Sequence, residues 1–311
     1  MENIIKKKNS AQHISKRGDL IFYILLLAVP VAQFTIFYIF VNFNSLILAF
    51  QKFDYDTGKY NFVGFENFSR VFTDFANSQM LSRSFVNSLI AFAVKLVFGT
   101  GLALFFSFYI YKKAFLNKFY NVMLFLPTII SSVTMVMMFK YFTERALPGM
   151  INKIFDTDFI GFLSTSSTRY GTLLFFSVWS AFGTKVLIYT GSMAGINESL
   201  SEAAQLDGCS AWREFFSITL PMIYPLFCTL FVVDIAGIAT DQVNAYLFYG
   251  YTVPNDCYTL GFYMFKDLTT GTAGLGEYPY LSAMGLVMTV VIAPITLGVR
   301  NLLNKYGPSA E

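Results

Sequence analysis

Four ionisable residues, Lys95, Lys185, Asp234 and Asp241, lie at or within long apolar stretches of this chain of 311 residues. A charge near the centre of a bilayer costs about 3 kcal/mol on insertion scales, so such residues face a cavity or a partner. Asp234 and Asp241 are seven apart with Ile238 between them, which on a helix sets all three on one face. Similar spacing puts Ser177, Ala181 and Thr184 on one face of the preceding apolar stretch, with the aromatics Trp179 and Tyr189 nearby. Carboxylates and hydroxyls can bond sugar hydroxyls, and flat rings can stack on the C–H faces of a pyranose. Two plainer readings stay open. Lys95 and Lys185 can snorkel to an interface, or the acids and bases can pair as structural glue.

Other chemistries are excluded by what is missing. The one histidine, His13, lies near the N-terminus, which leaves no His-ligated metal and no His-based triad for the body of the chain. Cys209, Cys228 and Cys257 fall in a polar segment, an apolar run and a loop, so they make no disulfide or metal framework. The only Gly-Lys pair, Gly58-Lys59, is followed by Tyr60 and is not a phosphate-binding loop. Gly99 and Gly101 lack the rest of a dinucleotide fingerprint. No nucleophile, base and metal-ligand constellation assembles, which argues against an enzyme.

The elements that must position the four charges are membrane helices. Hydrophobic residues make up 55% of the chain and charged ones only 13%, against about a quarter in a soluble domain. Six apolar runs of bilayer-spanning length follow one another: Leu20 to Phe43, Phe85 to Tyr109, Phe119 to Phe142, Thr172 to Ile196, Leu220 to Phe248, and Tyr280 to Leu303. The first is too long for a signal-peptide core and has no small-residue cleavage site after it, so it is expected to be retained. The predicted fold is an all-α membrane protein of six transmembrane helices. Basic residues cluster before the first run (Lys6, Lys7, Lys8, Lys16, Arg17), after the second (Lys112, Lys113, Lys118) and after the last (Arg300, Lys305). The positive-inside bias then places both termini in the cytoplasm. The same placement accounts for the net charge of +3 without nucleic acid.

The loops between the runs face outward over residues 44–84, 143–170 and 249–279, and the first suits short strands or an interfacial helix. Pro30, Pro127, Pro225, Pro294 and the GSMAG segment, Gly191 to Gly195, fit bundle packing.

One cytoplasmic segment is conspicuously polar: SEAAQLDGCSAWREFFSITLP, Ser201 to Pro221. Ser199 to Glu202 matches a capping box with Ser199 as N-cap, and Gly208 suits a left-handed helix end. A second helix is expected over Ser210 to Thr219, stopped at Pro221, with Arg213 and Glu214 solvated.

From Glu202 the string reads Glu-Ala-Ala, three residues, Gly208, nine residues, Ile218, one residue, Leu220-Pro221. It resembles the EAA loop of membrane subunits of type I, binding-protein-dependent ABC importers. FVGFENFSRVF, Phe62 to Phe72, resembles an outer-loop signature of sugar-importer permeases of the maltose-importer type (carbohydrate uptake family 1). YPYLSAMGLVMTVVIAPITLGVRNLLNKYG resembles the last span of the branch that takes larger oligosaccharides. The expected departure from the enterobacterial maltose permease is the lack of its extra N-terminal spans and large outer domain, so no role of that domain is carried over.

The resemblance implies a tail over residues 1–19, one permease domain over 20–305 with a coupling loop at 197–219, and a tail over 306–311. It implies a heterodimer with a second, homologous permease, two ATPase subunits that bind ATP and Mg, and an extracytoplasmic sugar-binding protein, all in a lipid membrane. The chain itself is expected to bind no cofactor. Glu202, Ala203, Ala204, Asp207, Gly208, Ile218, Leu220 and Pro221 would carry ATPase coupling. Ala203 and Ala204 keep the docking face thin, Glu202 pairs with an ATPase cation, and Gly208 makes the turn. The implied cargo is an oligosaccharide. Other importer substrates, such as polyol phosphodiesters or peptides, and an ion-coupled secondary transporter are the alternatives.

Overall fold

The computed structural model describes residues 16–269 and 274–308. His13, Lys6, Lys7 and Lys8 lie outside the described residues. The chain forms two compact units, residues 1–70 with 275–286 and residues 71–274 with 287–311.

In the first unit, α1 (Leu20–Leu48) is one unbroken apolar helix long enough to span a bilayer. It leads into an antiparallel hairpin of β1 (Gln51–Asp54) and β2 (Lys59–Phe62), paired Gln51 to Phe62 through Asp54 to Lys59. Asp54 closes the turn by accepting from Thr57 Oγ1 at 2.8 Å and the Asp56 amide at 2.9 Å. The Thr57 hydroxyl foremost, then the Asp56 amide, holds its carboxyl below the usual range. α2 (Glu66–Asn77) follows, and Asn67 Nδ2 donates to the carbonyls of Ala49 (2.9 Å) and Gln51 (2.7 Å). Strands and helix thus both occur in the loop expected to face outward. Arg70 pairs with Glu277 at 3.1 Å and stacks over the Tyr280 ring.

The second unit carries the site. α3 (Gln79–Tyr111) starts at Ser78, whose Oγ accepts from the Leu81 amide at 3.3 Å, and contains a π-helical turn at Lys95–Gly101. α4 (Asn117–Ile129) and α5 (Ser132–Phe155) meet at 104° where a single span over Phe119 to Phe142 is predicted. Pro127 withdraws an N–H from the last turn of α4, and Ile130 is extended with ψ 140°. α6 (Arg169–Met193) is one α-helix of 25 residues. The polar segment forms α7 (Glu198–Leu206) and α8 (Ala211–Met222), and α9 (Tyr224–Ala239) continues at 73° to α8.

That bend corrects the continuous run expected from Leu220 to Phe248. Pro225 has no N–H for the carbonyl of Pro221, and its ring clashes with that carbonyl, so the helix breaks at Ile223. Beyond Ala239 the chain is irregular, with Val243 and Asn244 at positive φ, before α10 (Ala245–Tyr249), α11 (Leu260–Thr269) and α12 (Tyr278–Tyr306). Among the described residues, four helices are long and apolar enough to cross a membrane, or up to six when each bent pair is one span.

Two apolar clusters hold α6. Leu173 and Phe176 pack with Phe248, Tyr258 and Phe262 at its N-terminal end, and Phe182, Val186 and Tyr189 pack with Leu104, Phe215 and Ile223 toward its C-terminal end. Gly183 lets α4 approach α6, since a Cβ there would strike the Leu124 carbonyl oxygen. The segment after α10 is tied back to α3. Asn87 Nδ2 donates to the carbonyls of Asp256 (2.9 Å) and Tyr258 (2.8 Å), and Ser88 Oγ accepts from the Leu260 amide (2.9 Å). Cys257 is enclosed there. Burial foremost, then the neighbouring Asp256 charge, pushes its thiol up to about 12.

Candidate functional site

Between the two clusters, α6 presents Ser177, Ala181 and Lys185 to a cavity of about 310 Å³ that α3 and α9 complete. An adjoining cavity of about 660 Å³ shares Lys95, Ser177, Ala181 and Asp241 and adds Thr184. The structure brings together six of the seven residues expected to line a pathway: Asp234, Ile238, Asp241, Ser177, Ala181 and Thr184. Trp179 does not join them. Its indole packs on the rings of Phe139 and Phe176, 6.0 and 6.1 Å away, and Phe92 and Phe182 are the aromatics that line the smaller cavity. Tyr189 is buried in the apolar cluster.

Asp234, Ile238 and Asp241 do not share a helix face. The helix tightens into a 3-10 turn at Gly237–Ala239, and Asp241 sits in the irregular stretch beyond. The two carboxylates still meet one space: Asp241 reaches Lys95 of α3, and the Thr259 hydroxyl donates to its carbonyl at 2.6 Å.

Lys95, Lys185, Asp234 and Asp241 are all paired. Lys95 binds Asp241 Oδ2, and Asp241 Oδ1 accepts from the Val243 amide at 2.9 Å. Lys185 Nζ donates to Asp234 Oδ2 at 2.7 Å and to Thr100 Oγ1 at 2.8 Å. Each charge is thus neutralised by one from a distant segment of the chain, which offsets the desolvation cost of placing it in an apolar bundle. Asp234 Oδ1 accepts no bond among the described residues and stays available to a hydroxyl. The site combines hydroxyls, carboxylate oxygens and flat rings around a space with no net charge.

The polar hairpin is built differently from its sequence expectation at one end. Asn197, not Ser199, is the N-cap of α7, and its Oδ1 accepts from the Ser199 amide at 3.1 Å. Asn caps as well as Ser and starts the helix two residues earlier, so Ser199 is helical and Glu202 closes no capping box. At the other end Gly208 takes φ +72°, Cys209 N–H donates to the Ala204 carbonyl (2.9 Å) and Gly208 N–H to that of Gln205 (3.0 Å). This is the paired bonding of a Schellman cap. Ser210 Oγ caps α8 by accepting from the Arg213 amide, 3.4 Å away.

Glu202, Ala203, Asp207 and Gly208 form an exposed tip together with Leu206, which is 89% exposed. Ala204 turns inward and is 7% exposed, so the two alanines do not make one docking face. Ile218, Leu220 and Pro221 are half-buried along α8. Arg213 is exposed, but Glu214 is not solvated: it is 3% exposed and paired with Lys112 at 2.9 Å. Sequence reasoning missed this pair. The available signal was that Glu214 precedes Ile218 by one helical turn, on the face the hairpin buries.

Residues 95–307 match the family described as binding-protein-dependent transport system inner membrane component. The multiple sugar-binding transport system permease protein MsmF of Streptococcus mutans is 24% identical over 90% of this chain and 94% of that protein. The probable ABC transporter permease protein YesP of Bacillus subtilis is 30% identical over 81% of each. Among solved structures, a bacterial ABC transporter involved in the import of the acidic polysaccharide alginate superposes with a TM-score of 0.77 at 22% identity, covering 93% of this chain and 97% of that one. The alginate transporter is also known in complex with its pentasaccharide-bound periplasmic protein, which matches with a TM-score of 0.71 at 21% identity over 93% of this chain and 94% of that one.

Proposed function

This chain belongs to the family of binding-protein-dependent transport inner membrane components, multi-pass permeases of the cytoplasmic membrane, and from that premise we propose that it forms half of the translocation path of an ATP-driven oligosaccharide importer. The observation that carries this reading is the cavity where α3, α6 and α9 converge, because α6 and α9 are the helices that flank the polar hairpin α7–α8. A displacement of the hairpin reaches the cavity walls through rigid helices.

The chemistry of the walls suits a glycan. Ser177 and Asp234 Oδ1 offer a hydroxyl and an acceptor, while Phe92 and Phe182 offer faces for sugar C–H groups. Balanced charge lets a polar, uncharged cargo pass without being held by a fixed ion. The sugar-transport names of similar proteins agree with this reading.

The remaining half of the path would come from a second, homologous permease. Two ATPase subunits would bind ATP and Mg, since this sequence has no phosphate-binding loop. Their cleft would receive the exposed tip around Glu202, Ala203, Leu206 and Gly208, and an extracytoplasmic binding protein would deliver the sugar. The test is copurification in mild detergent followed by vesicle uptake of a labelled oligosaccharide. The expected result is a complex of this chain with a second permease and an ATPase, and uptake that needs both ATP and binding protein. Isolation of the chain without either partner, or uptake driven by an ion gradient alone, overturns the reading.

A further inference from the structure

The helices that close the cavity differ in how they are attached to the hairpin. α6 runs into α7 through residues 194–197, and α9 follows α8 at Ile223, so the chain itself joins both to it. α3, which carries Lys95, has no such covalent route.

Its connection is made at its C-terminal end. Lys112, the residue after α3, donates through Nζ to Glu214 Oε1 and Oε2 at 2.9 and 3.0 Å and to Ser201 Oγ at 2.8 Å. The Ser201 hydroxyl donates in turn to Glu214 Oε1 at 2.8 Å, so one residue from each hairpin helix meets the residue that ends α3. Glu214 is 3% exposed and Ser201 9%. A buried ion pair persists only where geometry and extra hydrogen bonds compensate its desolvation, and Ser201 supplies that bond. Phe105 and Phe108 also pack on Phe215, each with centroids 5.1 Å apart, but ring packing tolerates sliding. The polar cluster fixes a single register. Lys95 lies on α3, about 25 Å from the end that Lys112 follows at 1.5 Å per residue.

Resting on the reading of the hairpin as the ATPase-docking element, we propose that Lys112, Ser201 and Glu214 are positioning residues that carry the hairpin's displacement into α3.

The test uses the full complex in vesicles and compares ATP hydrolysis with and without sugar-loaded binding protein. Glu214→Gln is expected to lower the ratio of stimulated to unstimulated hydrolysis, and uptake with it, about tenfold, within the range of coupling between sites. The double variant Lys112→Met with Glu214→Gln removes both charges. It is expected to melt near the parent temperature while its ratio stays low, a separation that a merely structural pair would not give. Arg213→Gln, an exposed neighbour, is expected to keep the parent ratio. If Glu214→Gln fails to assemble, the double variant decides alone. A parent-like ratio in the double variant overturns the proposal. A parent complex that shows no sugar-stimulated hydrolysis overturns the functional reading and the proposal with it.

Discussion

Lys185 Nζ lies 2.7 Å from Asp234 Oδ2, an ion pair that ties the middle of α6 to α9 and is braced by the Thr100 hydroxyl of α3. Three helices therefore share one neutralised charge site inside an apolar bundle.

Removing one member of this pair leaves its partner uncompensated, while removing both restores neutrality. Asp234→Asn is expected to destabilise the purified protein, and Lys185→Met with Asp234→Asn to recover about 1–3 kcal/mol of that loss in a double-mutant cycle read by thermal unfolding. Uptake is expected to stay impaired in the double variant, because an amide in place of the carboxylate leaves one uncharged acceptor oxygen instead of two. Normal uptake there would show that the pair is structural only.

Gly208 sits at φ +72° with open space around its α-carbon, so a side chain there meets backbone strain and no steric block. Gly208→Ala is expected to cost about 1 kcal/mol at the hairpin. A larger, charged side chain, Gly208→Asp, is expected to abolish coupled uptake while membrane insertion stays normal. Western blotting of membranes alongside uptake separates the two effects.

At Gly183 the opposite holds. A Cβ meets the Leu124 backbone, which cannot retreat without separating α4 from α6. Gly183→Leu is expected to lower the yield of folded protein severely, whereas Gly191→Ala, with nothing near its Cβ, is expected to be neutral. Size-exclusion profiles in detergent report both.

The thiols should separate by pH and access. Cys257 is enclosed, and with its pKa pushed up to about 12 it stays protonated at pH 8, where the thiolate needed for alkylation is scarce. Cys209 is partly exposed on the hairpin. Maleimide at pH 8 is expected to label Cys209 and spare Cys257 until detergent denaturation, as read by peptide mass spectrometry. Rapid native labelling of Cys257 would contradict the packing around Asn87 and Leu260.

Much of this protein could be read from local signals. Runs such as Tyr280 to Leu303 declare membrane helices because every backbone group in a bilayer must be bonded within its own segment. Gly208 declared its turn because only glycine accepts that φ without strain. The spaced string from Glu202 to Pro221 pointed to an importer, and the family match over residues 95–307 agrees. The start of α7 was less legible, since Asn197 and Ser199 are comparable caps and the choice depends on a difference of a few tenths of a kcal/mol.

What the sequence could not decide is which distant groups meet. Lys95 and Asp241 are 146 positions apart and Lys112 and Glu214 are 102 apart. Hydropathy reports only that a charge is costly in an apolar run, never which opposite charge will neutralise it. The break at Ile223, the irregular stretch that carries Asp241 and the burial of Glu214 all follow from helices packing around one another. Composition and short-range spacing determined the membrane, the helices and the hairpin, because those depend on residues a few turns apart. Only the tertiary structure decided that the charges pair across helices and leave a neutral, hydroxyl-lined space, because that depends on where the packed bundle lets each side chain reach.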